Sequence, residues 1–110
     1  MKLAEVALTS DFGPAGGSPA VLVLVPPPFA QLGAWDLNES PGAGRESERL
    51  SQGFLDAAAS YEEWEGIHIP LLDLRDHVSS SPVDGIHFEA DGHHAIGLAV
   101  ARRLRELLEL

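Results

Sequence analysis

A chain of 110 residues, 45% apolar and 22% charged, is long enough for one modest core and too apolar for intrinsic disorder. Seven Lys and Arg stand against seventeen Asp and Glu, and the resulting charge of -10 repels a phosphate backbone, which argues against nucleic acid as a partner. There is no cysteine, hence no disulfide, thiolate metal site or Cys nucleophile.

The N-terminal "MKLAEVALTSDFG" has no sustained apolar run, and no window reaches the roughly 20 apolar residues of a spanning helix. The expectation is a cytoplasmic protein without a membrane span. "KLAEVALT", residues 2–9, is compatible with a short helix, which "GPAGGSP" then breaks with glycines and prolines. "AVLVLV", Ala20 to Val25, is a continuous aliphatic run of the kind found in parallel strands covered on both faces. Pro26, Pro27 and Pro28 end it, because none can donate to a ladder. From Phe29 to Gly44 the composition is that of a long loop, a kind of segment that often carries function. "ESERLSQGFLDAAASYEEW" then puts Leu50, Phe54, Leu55, Ala58 and Tyr61 at spacings of three and four, predicting an amphipathic helix.

"GIHIPLLDL", from Gly66, predicts the second strand, and "RDHVSSSPV" a turn region. Ile96, Ala99, Val100, Leu104, Leu107 and Leu108 mark the face of a last helix, with Arg102, Arg103 and Arg105 favourably placed near its negative end. Helix, strand, helix, strand, helix describes part of a parallel α/β sheet with right-handed crossovers. Two strands leave two open edges and lack neighbours for their aliphatic faces, so the chain reads as a piece of a larger sheet.

The segment "VDGIHFEADGHHAIGLAVARRLREL", residues 83–107, holds three of the five histidines and four carboxylates, and all but Glu106 of these stand at the mouth of that helix. Asp84 and His87 are three apart, a spacing at which a carboxylate on a helix-like turn reaches the Nδ1 proton of an imidazole. Such an Asp fixes the tautomer and leaves Nε2 as a base, the orienter and base of a nucleophilic triad. The location fits, since open α/β sheets bind ligands outside the carboxyl ends of their strands. The spacing equally suits a plain turn in which Asp84 caps backbone amides, Gly85 takes an unusual dihedral and His87 is merely exposed.

"DGIHFEADGHHAIGLAVARRL" resembles the last conserved block of the SGNH hydrolases, the GDSL-type esterases and lipases, where an Asp-x-x-His pair precedes a Gly-His helix start. "VLVLVPPPF" is similar to the strand and proline-rich loop of the arylesterase-like branch, and "IPLLDL" to the strand between. The resemblance runs in order over nearly the whole chain. It implies a partial flavodoxin-like, three-layer α/β/α parallel sheet, with residues 1–110 forming the C-terminal part of one SGNH domain: two parallel strands and about three helices. It further implies ester hydrolysis with Asp84 as triad acid and His87 as general base, without a cofactor, on a small ester substrate, and His93 in the position of the family's structural histidine. Phe29, Leu32 and Phe88, beside the strand ends, are expected to border an acyl pocket.

The chain departs from the family by lacking the Gly-Asp-Ser nucleophile block and the Gly and Asn blocks of the oxyanion hole. Neither Ser10 nor Ser18 follows an apolar strand, as a nucleophile should. Glu89 stands where a small capping residue is usual. The isolated chain is therefore expected to be inactive, the serine coming from an N-terminal part. Two alternatives stay open. One is an inactive remnant that associates through the 29–44 loop and the open sheet edge, as a homo-oligomer or with a complementing N-terminal half. The other is metal binding by His87, His93 and His94 with Asp84, Glu89 and Asp91, although adjacent helical histidines point about 100° apart. His68 and His77 are expected to face solvent, Trp35 and Trp64 to pack or anchor loops, and Asp73 to cap the turn after its strand.

Overall fold

The computed structural model describes residues 1–30 and 42–110. Helix α1 covers Lys2–Leu8, pinned by an exposed Lys2–Glu5 ion pair of 2.7 Å, and none of its residues is buried. Strand β1, Val23–Val25, and strand β2, Leu71–Asp73, pair in parallel, with Val23 opposite Leu71 and Val25 opposite Asp73. Helix α2, Ala43–Ser60, continues into a π turn at Tyr61–Glu65 and stops where Gly66 adopts φ 66°, a left-handed conformation natural to glycine. A single 3-10 turn, Leu74–Asp76, follows β2, and helix α3 spans Ala90–Leu107. Helices flanking a two-stranded parallel sheet make an α/β arrangement, as the alternating sequence pattern predicts.

Both strands are shorter than their aliphatic runs. Pro70 has no amide for a ladder, so β2 starts at Leu71, and the Val23 amide closes the pairing by donating to the Pro70 carbonyl at 2.9 Å. The buried seam of α2 is also narrower than the predicted stripe. Gly44, Ser51 and Ala58, seven apart, are buried, whereas Leu50 is exposed and Phe54, Leu55 and Tyr61 are half-buried. Small residues let the helix axis approach β1 and its proline run closely, which pushes the larger side chains to the flanks.

Among the described residues the buried apolar core is Val25, Ala58, Ile69, Leu74 and Ala99. Val25 is wholly enclosed, while Leu24, its neighbour on the opposite face of β1, is 39% exposed. Leu3 and Val6 of α1 and Leu98 of α3 also face solvent. The radius of gyration is 16.4 Å, against about 13 Å for a compact domain of this length. So the sheet has one covered face and one incompletely covered one, as expected for a two-strand sheet. Trp64, expected to pack or anchor a loop, is 77% exposed: the π turn winds it away from the seam that α2 presents to β1. Trp35 lies outside the described residues.

Candidate active site

The carboxyl end of β1 runs straight into Pro26, Pro27 and Pro28, whose carbonyls need donors from outside the sheet. Two serines supply them. Ser51 of α2, fully buried, donates its hydroxyl to the Pro26 carbonyl at 2.6 Å, with the Ser47 carbonyl at 3.0 Å as second acceptor. Ser80, on the turn after β2, donates to the Pro28 carbonyl at 2.9 Å. The next amide, that of Phe29, donates to the Ser47 hydroxyl at 2.8 Å, and the Ala30 amide donates to the Gly85 carbonyl at 2.9 Å. The last bond ties the proline-rich segment to the turn that carries Asp84.

That turn is built around the Asp84 carboxylate. Oδ1 accepts the amides of Ile86 and His87, each at 2.9 Å, and Oδ2 lies 2.5 Å from Nδ1 of His87. Gly85 has φ 73°, which lets the chain double back so that a residue three positions on faces the carboxylate. Asp84 therefore does two things at once: it caps backbone amides and it holds the imidazole. The Ile86 amide, then the His87 side chain and amide, stabilise the charged carboxylate and lower its pKa from 3.8 to about 2. Asp84 thus remains an anion wherever histidine titrates, and an anion against one ring nitrogen favours a proton on that nitrogen. The His87 side chain is 80% exposed, and among the described residues its Nε2 has no hydrogen-bond partner, so this nitrogen is open to whatever approaches from solvent.

The other predicted residues distribute unevenly. Phe29, part-exposed, lines a cleft of about 390 Å³ with Pro27, Pro28, Arg75 and Ser80. Phe88 is half-buried, and its ring stands edge-on to the exposed His93 at 5.7 Å between centroids, at the start of α3. Leu32 lies outside the described residues. Among the described residues no three His, Asp or Glu side chains gather as a metal site, and His94 does not join His87 and His93 in one. His68 and His77 are exposed, as expected. Asp73 caps the turn after β2, accepting the Arg75 amide at 3.0 Å while Arg75 grips it with Nε and Nη2; the guanidinium holds this carboxyl below its ordinary pKa.

Ser51, Ser80 and Ser81 are the residues that sequence reading missed. Each is buried and its hydroxyl is committed to a partner. For Ser80 and Ser81 the one local feature was the cluster "SSSP" just before the Asp-x-x-His motif, and Ser51 had none.

No protein-family profile and no curated protein matches the chain. Solved structures do. The native aryl esterase of M. smegmatis superposes with a TM-score of 0.74 at 29% identity, over 96% of this chain and 47% of that one. A carbohydrate acetylesterase from Sinorhizobium meliloti gives 0.72 at 28% identity, over 96% and 48%. A carbohydrate acetylesterase family member from the same organism, at 21% identity and a TM-score of 0.75, shares the fold over 99% of this chain and 49% of its own. The chain thus has the fold of part of an SGNH-type esterase, consistent with a C-terminal portion, and spans about half the length of these neighbours. The neighbours act on esters, so the resemblance at the level of hydrolases acting on ester bonds is shared by sequence and structure. Among the described residues no helix is long and apolar enough to cross a membrane.

Proposed function

We propose that this chain carries the acid and base of a serine-type carboxylic ester hydrolase, Asp84 orienting and His87 acting on a serine borne by a polypeptide segment outside these 110 residues. The observation that carries the reading is the 2.5 Å Asp84–His87 contact at Nδ1 with Nε2 turned to solvent. In this reading Nε2 takes the serine proton as the serine oxygen attacks the ester carbonyl, and returns it to the departing alcohol. Water then attacks the acyl-serine with the same base, releasing the acid and restoring the serine. No cofactor enters. In this reading the small ester substrate lies in the cleft that Phe29 lines.

The complementing segment has a second task, to cover the Leu24 face of the sheet. The same uncovered face favours a second reading, in which the chain is an inactive remnant that associates through this edge. One assay separates them. The purified chain should give no turnover of a short aryl ester above background, and mixing with the N-terminal half of a related esterase should produce turnover that His87→Ala abolishes. Turnover by the chain alone, lost in His87→Ala, would mean that a serine within these residues does the work. A mixture that binds but stays inactive would favour the association module.

A further inference from the structure

Ser81 is 3% exposed and closes the loop around the Asp84–His87 pair at four points. Its amide donates to the His87 carbonyl at 2.6 Å, and its carbonyl accepts the Gly85 amide at 2.8 Å. Its hydroxyl accepts the Val83 amide at 3.0 Å and donates to the carboxylate of Glu89. Asp84 makes an inner ring over residues 84–87, and Ser81 an outer ring over 81–89 that encloses it. The outer ring also solves a puzzle in the sequence. Glu89 is the first residue before α3 and makes no side-chain cap; its carboxylate reaches back to Ser81 instead. A hydroxyl bonded to a carboxylate is a charge-assisted bond, stronger than a neutral one, and here its donor is buried.

We propose that Ser81, acting through Glu89, is a positioning residue that holds His87 in the Nδ1–H tautomer against Asp84. The backbone bonds of Ser81 set the height of the His87 carbonyl, hence the reach of its ring to Asp84. The Glu89 bond clamps that loop to the first turn of α3. With Ser80 on the Pro28 carbonyl and the Ala30 amide on Gly85, the clamp ties the base to the carboxyl end of β1, where a reacting group must enter. Among the described residues neither Ser81 nor Glu89 hydrogen-bonds the imidazole, so their effect reaches the site through geometry. The inference rests on reading Asp84 and His87 as an orienter and base.

The test is the ¹⁵N spectrum of the histidines in the intact chain above pH 8, where the two ring nitrogens report the tautomer ratio. In the wild-type chain His87 should be predominantly Nδ1–H. Ser81→Ala and Glu89→Gln should each lower its Nδ1–H to Nε2–H ratio by about threefold or more, with Ser81→Thr restoring it, while His68 keeps its signals as an internal control. Asp84→Asn separates the two levels of the argument: it should abolish the preference outright, and a preference that survives it sinks the pair itself. An Asp84→Asn loss beside an unchanged ratio in Ser81→Ala and Glu89→Gln would overturn the role of Ser81 and leave the pair intact. Should Ser81→Ala not fold, Glu89→Gln decides alone, since that side chain is exposed.

Discussion

Replacing Ser51 with alanine removes one hydroxyl from the best-enclosed point of the α2–β1 seam. The hydroxyl meets the Pro26 carbonyl at 2.6 Å, and Pro26 sits in a run that cannot recruit a ladder partner. Pro26 is half-buried, and a carbonyl shielded from water and left without a donor costs up to about 1–3 kcal/mol. Alanine returns about 0.5 kcal/mol through its better helix propensity. Net destabilisation of about 0.5–2.5 kcal/mol follows, or a fall in melting temperature of roughly 2–20 °C for a domain of this size. Ser60→Ala is the matched control, because that serine is exposed and its hydroxyl bonds only to the Asp56 carbonyl of the same helix at 3.0 Å. It should be neutral or stabilising by about 0.3 kcal/mol. Urea unfolding of both variants, with the slope on denaturant unchanged, makes the comparison. Equal midpoints for Ser51→Ala and Ser60→Ala would refute the idea that α2 holds the proline run by this bond.

Two glycines of α3 should respond to alanine with opposite signs. A Cβ at Gly92 would stand 2.8 Å from Val78 Cγ2, so Gly92→Ala should cost about 1–2 kcal/mol, whereas Gly97 has nothing within 4 Å and Gly97→Ala should gain about 0.5–1 kcal/mol, both read by thermal unfolding. The Asp84 carboxyl should titrate near pH 2 by NMR; because this folded value lies below 3.8, its contribution to stability is complete above about pH 4 and disappears as pH falls through 2. In His87→Ala the midpoint should rise yet stay below 3.8, since the Ile86 amide is the largest cause of the depression; a return all the way to 3.8 would contradict that order. Zinc titration by calorimetry should show no tight site, and stoichiometric submicromolar binding lost in a His87→Ala, His93→Ala double variant would reopen the metal alternative.

The two long helices were legible because each has a periodic apolar face, although α3 starts at Ala90, ahead of the face that begins at Ile96. The strands were legible as runs of aliphatics but not in length, since length depends on which partner residues lack an amide, and Pro70 acts only once its carbonyl meets the Val23 amide. Asp84 and His87 were readable because their contact is local, three residues apart in a turn. Ser51 and Ser80 bond across 25 and 52 residues, and a serine carries no sequence signal of a tertiary partner. The burial of α2 was misjudged for a related reason. Side-chain size suggests which residues seek a core, but the proximity of β1 decides which of them fit there.

The open face of β1 also bears on solution behaviour. At neutral pH a charge of -10 opposes the approach of two copies, against the attraction of Leu24 and the exposed leucines of α1 and α3. Near the isoelectric point of 4.7 that repulsion vanishes while the apolar surface stays the same. Acidification should therefore favour self-association well before it reaches the pH at which Asp84 gives up its charge. Aggregation below neutrality should thus be read as loss of mutual repulsion, with the Asp84–His87 pair still in place.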